Sequence, residues 1–218
     1  MTERAVSPAS PIDAPWRLVA LGAMLGTTWA ASLRGLMSTI AGVSSTVEWS
    51  GTFVQILAPA AVVGGLYGWA EHLRRFDGPP WRRWFALAPL LFGLAGLTGV
   101  ATWSDAGAAA VMGLALTVIA AVGGVALSGT GPLWSRLLGG LLAIVPVVVF
   151  VTVLPGAAGP AFALARPRGA WLTVYFAALL TVYCLAGSIP FRRAPRGRRV
   201  TGRAGPSARL PAEASADR

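Results

Sequence analysis

The sequence predicts an all-α protein, an integral membrane helical bundle with six transmembrane helices and both termini in the cytoplasm. The 218-residue chain is 55% hydrophobic and only 12% charged, with a mean hydropathy of +0.65. Such a chain has too little polar surface to cover a water-soluble globule. Six long apolar runs follow one another, each near the roughly 20 residues that cross a bilayer. The third observation is that arginines gather at the ends of these runs.

The chain divides into a leader, a membrane domain and a tail. Residues 1–15 carry three prolines and no hydrophobic period, which predicts a disordered cytoplasmic leader. Residues 16–190 form the six-helix domain, and the Arg-rich residues 191–218 are predicted to be a disordered polybasic cytoplasmic tail. Helices are predicted rather than barrel strands because the runs are continuously apolar instead of alternating. The predicted spans are 18–33 (extendable to 40), 52–70, 84–103, 106–127, 137–154 and 170–189.

The arginine distribution predicts the orientation of the chain. With the N-terminus inside, 15 of the 18 arginines fall on the cytoplasmic side, and Arg34, Arg166 and Arg168 remain outside. Because positive residues favour the cytoplasmic side, this bias places both termini in the cytoplasm and the protein in the cell membrane.

Composition also limits the chemistry. All 18 basic residues are arginine, and the absence of lysine with abundant Ala, Gly and Pro is typical of a GC-rich bacterial genome. The single Cys184 excludes an intrachain disulfide and a cysteine-based metal site. The arginines form no folded basic face, so nucleic acid is not an expected partner despite the net charge of +10. No metal or cofactor is expected.

The polar stretch RGLMSTIAGVSSTVEWSGTF, residues 34–53, connects the first two predicted spans. Ser45 and Glu48 have the spacing of a capping box, which would open the second helix. A capped turn between two helices is one interpretation, with Arg34 and Glu48 paired and partly shielded from water. The other interpretation is an outer-face binding site. Its candidate residues are Arg34, Glu48, Trp49, Trp103 and Asp105.

A second charged group lies in WAEHLRRF at the cytoplasmic end of the second span. Glu71 is three and four residues from Arg74 and Arg75, a spacing that predicts ion pairs on one helix face, with His72 beside them. A zinc site needs several ligands, and a serine nucleophile needs a positioned base. One histidine amid these charges supplies neither, so no catalytic residue is assigned and an enzyme is not expected.

Glycines and prolines within the spans predict packing and kinks. Gly22 with Gly26, and Gly64 with Gly68, form small-x-x-x-small pairs that permit close approach of helices, either within the chain or in a homodimer. Pro59, Pro89 and Pro146 are expected to kink their helices.

Pro59 and Pro146 occupy comparable positions in two halves of three spans each. Such halves would have opposite topology, as in many secondary transporters. This arrangement favours a small-solute permease. Against it, the middle of the predicted spans offers no ionisable side chain that could couple an ion.

Arg34, Met37 and the stretch Glu48-Trp49-Ser50-Gly51-Thr52, followed by VVGGLYGWAEHLRR, resemble a pattern in uncharacterised multi-pass membrane proteins of actinobacteria. The similarity covers roughly residues 30–75. It implies an integral membrane protein of undefined activity.

The sequence therefore favours a structural or accessory membrane component, with a small-solute permease of inverted three-helix halves as the alternative. The expected partners are the lipid bilayer, anionic lipids bound through the C-terminal tail, and a membrane protein partner or a second copy of the chain. Each basic residue near an anionic surface contributes on the order of 1 kcal/mol to such binding.

Overall fold

The computed structural model describes residues 14–75, 79–99 and 103–193, and every regular element in these ranges is a helix. The predicted disordered leader up to residue 13 and the predicted tail beyond Arg193 lie outside the described residues. The α-helices are α1 (Pro15–Ala41), α2 (Ala58–Arg75), α3 (Leu90–Gly96), α4 (Trp103–Leu127), α5 (Leu133–Ala158) and α6 (Pro167–Ser188). Short 3₁₀ helices cover Gly42–Ser44, Pro80–Leu87, Leu97–Gly99, Pro160–Phe162 and Ile189–Phe191, and a π-helix covers Trp49–Leu57.

Proline and glycine mark several helix boundaries. Pro15 and Pro167 stand in the first turns of α1 and α6, where the missing N–H costs no hydrogen bond. Gly42 ends α1 with φ of 60°, and Gly159 ends α5 with φ of 105°. Both angles lie in the region that residues with a Cβ rarely adopt, so these two glycines stop their helices locally.

Four helices in the described ranges are long and apolar enough to cross a membrane. They span Trp49–Arg75, Ala110–Leu127, Leu133–Ala158 and Pro167–Phe191, and they coincide with the second, fourth, fifth and sixth predicted spans. Apolar helices of this length are compatible with a membrane location.

Helix α1 has 27 residues and is therefore about 40 Å long. Its apolar character is diluted by polar residues, among them Thr27, Thr28 and Ser32. The hydroxyl of each of these three donates a hydrogen bond of 2.9 Å to the carbonyl four residues earlier in the helix. These polar groups are thus satisfied within the helix itself.

The third predicted span is not one continuous helix. The 3₁₀ helix Pro80–Leu87 and the seven-residue α3 meet at Ala88 and Pro89, and Leu97–Gly99 adds another short 3₁₀ turn. Pro89 has no N–H to donate, and its ring would clash with the carbonyl of Phe85 in a continuous α-helix. Ala88 and Pro89 keep right-handed helical backbone angles, so the segment changes from 3₁₀ to α-helical geometry at Pro89.

Helices α1 and α2 pack with their backbones in contact. A Cβ added at Gly26 would clash with the carbonyl oxygen of Ala60 and lie 3.2 Å from the Cα of Gly64. A Cβ added at Gly22 would clash with the carbonyl oxygen of Gly64 and lie 3.2 Å from the Cα of Gly68. The small-x-x-x-small pairs therefore serve packing within the chain, the first of the two predicted alternatives.

Helix α4 packs against α3, α5 and α6, again through glycines. A Cβ added at Gly113 would lie 2.6 Å from the Cα of Gly93 in α3, and one at Gly139 in α5 would lie 2.8 Å from the carbonyl oxygen of Val122. Gly124 and Gly187 make the equivalent close approach between α4 and α6. Small residues thus set the spacing of α4 from its three neighbours, as they do between α1 and α2.

Pro59 and Pro146, the two prolines that suggested inverted halves, lie in helices of different backbone geometry. The π-helix Trp49–Leu57 ends just before Pro59, and the N–H of Ala58 donates to the carbonyl of Phe53, five residues earlier. The widened turn suits a helix in which Pro59 supplies no N–H. Pro146, by contrast, lies inside α5, which runs unbroken from Leu133 to Ala158.

Replacing Gly64 tests the backbone contact. We expect Gly64→Ala to lower the free energy of unfolding in detergent by roughly 1–3 kcal/mol, because the added methyl group meets the backbone of α1 rather than a movable side chain. The matched control is Gly140→Ala in α5, where a Cβ would meet nothing within 4 Å. Thermal melts followed by circular dichroism measure both. Equal destabilisation by the two substitutions would contradict the packing account.

Candidate functional site

Trp29 lies in the middle of α1 and connects three helices. Its indole N–H donates a hydrogen bond of 2.9 Å to the carbonyl of Leu179 in α6. Its ring stacks on Tyr183 of α6, with centroids 4.9 Å apart and 18° between the planes, and meets Phe92 of α3 edge-on at 6.3 Å. A partly buried tryptophan needs a partner for its indole N–H, and α6 provides it.

Two tyrosines of α6 extend this network. The hydroxyl of Tyr175 donates to the carbonyl of Ser32 in α1 at 3.0 Å, and that of Tyr183 donates to the carbonyl of Leu116 in α4 at 3.3 Å. In both cases an aromatic side chain of one helix binds the backbone of another. The result is a polar seam that joins α1, α4 and α6 without any charged residue.

A cavity of about 650 Å³ lies between α1, α2 and α6. Its size is typical of ligand sites, which are roughly 300–1,000 Å³. The glycine contact of α1 with α2 lines one side, and Trp29, Phe92 and Tyr183 line another. Ten further lining residues are aliphatic, including the exposed side chains of Leu21, Leu25, Val182 and Leu185, and Thr28, Ser32 and Tyr67 add hydroxyl groups. The cavity is therefore a largely apolar groove.

One end of this groove is charged. Glu71, Arg75 and Arg192 line it there, whereas Trp29 and Ser32 lie toward the opposite end. Glu71 forms ion pairs with Arg74 at 2.6 Å and with Arg75 at 2.9 Å. His72 lies on the same helix end, with its ring centroid 5.9 Å from that of Trp69.

The same end of α2 is tied to the C-terminal end of α6. Arg74 donates to the carbonyl of Arg193 at 3.2 Å, and Arg82 donates to the carbonyl of Arg192 at 2.9 Å. Both carbonyl groups follow the 3₁₀ helix Ile189–Phe191, so they have no partner inside a helix, and the cationic donors satisfy them. The arginines thus hold together the three segments around the groove's charged end.

The polar connection between α1 and the π-helix differs from the predicted capping box. Glu48 precedes the π-helix but its side chain makes no capping hydrogen bond. The hydroxyl of Ser45 instead accepts a hydrogen bond of 2.9 Å from Arg34. The Ser45 hydroxyl is bound to Arg34, and the π-helix begins only at Trp49. Ser45 and Glu48 therefore do not form the predicted capping box.

The expected ion pair between Arg34 and Glu48 is also absent from the described residues. The guanidinium of Arg34 binds the Ser45 hydroxyl and the carbonyl of Thr46. Glu48 accepts a hydrogen bond of 3.5 Å from the Thr46 hydroxyl. Arg34 and Glu48 therefore hold neighbouring positions of one loop and are bridged through Thr46.

The structure brings together only part of the predicted outer-face site. Trp49 is 80% exposed and packs on Phe53, with ring centroids 4.5 Å apart. Trp103 and Asp105 belong to the first turn of α4, and their side chains lie outside the described part of the structure. Binding of a ligand by these five residues stays a prediction. Across the described ranges, no three His, Cys, Asp or Glu side chains form a group that could hold a metal.

Sequence reasoning did not identify the groove, although one signal pointed to it. Trp29 is set apart from tryptophans near the membrane boundaries because it lies well inside a predicted span. Its contact with Tyr183 joins residues 154 positions apart in the chain, and sequence alone gives no such pairing.

No protein-family model, curated protein or solved structure matches this chain. The resemblance of residues 30–75 to actinobacterial membrane proteins stays a prediction. Evidence for the function therefore comes from the residues and contacts of the chain itself.

The contacts of Arg34 lead to a test of its role. We expect Arg34→Gln to lower the free energy of unfolding in detergent by about 1–3 kcal/mol, because it removes hydrogen bonds from a charged donor. Glu48→Gln, the control in the same loop, should change it by less than about 0.5 kcal/mol. The double exchange Arg34→Glu with Glu48→Arg should not restore stability in thermal melts. Recovery in that double variant would show that the two side chains form an ion pair after all.

Proposed function

We propose that the protein is a six-span membrane protein, with both termini in the cytoplasm, that acts as a structural or accessory component of the cell membrane. Four apolar helices of sufficient length support the membrane location. The length of α1 and the arginine bias support two further crossings, by α1 and by the segment that contains α3. The number of crossings and the orientation are part of this proposal.

One observation carries the structural role. Three aromatic side chains inside the described bundle, those of Trp29, Tyr175 and Tyr183, bind the backbone of a neighbouring helix. Each such contact joins two helices and leaves the donor satisfied. These hydrogen bonds and the backbone contacts between glycines hold the helices in fixed positions.

The position of charge supports the same proposal. In α2, α5 and α6, charged side chains stand within four residues of a helix end, and residues 110–127 of α4 carry none. Arg34 lies seven residues before the end of α1. Carriers coupled to ions use ionisable side chains along the path through the membrane. An accessory protein has no such requirement.

The alternative, a small-solute permease with inverted three-helix halves, draws support from the π-helix Trp49–Leu57. An interrupted helix of this kind is a common element of transporter binding sites. Inverted halves would require a matching interruption in α5, and Pro146 lies within an unbroken helix there. The accessory role is therefore the better supported of the two.

Reconstitution separates the two functions. Proteoliposomes that contain the purified chain should take up radiolabelled sugars, amino acids and monovalent cations no faster than empty vesicles. A membrane partner should co-purify at constant stoichiometry through gel filtration in mild detergent. Uptake that exceeds the empty-vesicle rate and falls in Pro59→Ala, but not in the control Pro155→Ala, would contradict the accessory role and support the permease.

A further inference from the structure

We propose that the groove between α1, α2 and α6 binds one anionic phospholipid, with an acyl chain along the glycine contact and the phosphate at the end formed by Arg75 and Arg192. This binding site goes beyond the proposed function and does not depend on it. A structural protein and a permease could both hold such a lipid.

The shape of the groove suits an acyl chain. Along α1 it extends from Leu18 to Ser32, which is about 21 Å of helix. Half of the hydrocarbon core of a bilayer is about 15 Å thick, so the groove can hold the chain of a lipid from one leaflet. Its floor includes backbone atoms at the contact of α1 with α2, contributed by Gly22, Gly26, Gly64 and Gly68.

The edges of the groove are also apolar. Leu21 and Leu25 on α1 are 53% and 61% exposed, and Val182 and Leu185 on α6 are exposed as well. In a membrane these four side chains would face lipid tails. A lipid can therefore enter from the side, with its tail passing between apolar edges and without crossing a polar barrier.

Charge complementarity fixes the chemistry of the headgroup. Glu71 is shared by Arg74 and Arg75, so these three side chains together carry a net charge of +1. Arg192, which also lines this end, adds a second positive charge. A guanidinium binds phosphate through two parallel hydrogen bonds. Phosphatidylcholine has the same phosphate but adds a quaternary ammonium group, which the positive end of the groove repels, so the site favours a headgroup with net negative charge.

A lipid fits this groove better than other occupants. A second copy of the chain would dock on small residues, yet the glycines of α1 and α2 already contact each other. Residues 194–218 of this chain contain six further arginines, which the positive end of the groove would repel.

Binding can be measured on the full chain by native mass spectrometry from detergent micelles supplied with phosphatidylglycerol or phosphatidylcholine. We expect one phosphatidylglycerol per chain, bound at least about fivefold more tightly than phosphatidylcholine. Arg192→Gln should weaken binding of phosphatidylglycerol by about fivefold. The matched control is Arg193→Gln, which removes the neighbouring charge from outside the groove and should change binding less than twofold.

A second pair of variants tests the acyl-chain site. Leu25→Trp should fill the groove and abolish the lipid-bound species, whereas Leu141→Trp on α5, 65% exposed and outside the groove, should leave it intact. Leu21→Trp repeats the test if Leu25→Trp does not fold. The proposal would be overturned if Arg192→Gln and Arg193→Gln weakened phosphatidylglycerol binding equally. Retention of lipid by a folded Leu25→Trp or Leu21→Trp variant would also overturn it, as would a dimer in place of the lipid-bound monomer.

Discussion

The backbone contact between α1 and α2 is the constraint on which the rest of the bundle depends. In a bilayer there is no hydrophobic gain in bringing two apolar helices together, so close van der Waals packing has to hold them. Glycine at positions 22, 26, 64 and 68 brings the two backbones into contact, and any larger side chain would clash with a carbonyl group. The same contact exposes a strip of backbone that becomes the floor of the groove.

Hydrogen bonding to backbone carbonyls connects this helix pair to the rest of the chain. Trp29 and Ser32 of α1 are joined to α6, and Tyr183 links α6 to α4. At the charged end, Arg74 and Arg82 bind carbonyl groups near the end of α6. Packing between glycines sets the distances between helices, and these bonds between distant residues fix how the helices are arranged around the groove.

Much of the helical architecture could be predicted because length and hydropathy are local properties. The second, fourth, fifth and sixth predicted spans coincide with long apolar helices. Pro89 shows a limit, since the sequence does not give the change from 3₁₀ to α-helical geometry around it. Arg34 shows another, because spacing suggested Glu48 as its partner while the folded loop offers Ser45 and Thr46. The groove could not be predicted because it is made by three helices that are distant in the chain.

The membrane topology is the central claim, and reporter fusions after Asp77 and after Arg199 test it most directly. Six crossings with the N-terminus inside place both fusion points in the cytoplasm. If the segment that contains α3 does not cross, the first fusion reports inside and the second outside. If α1 does not cross, the first fusion reports outside. Cytoplasmic activity of both reporters is the result we expect, and an external signal from either one would contradict the six-span account.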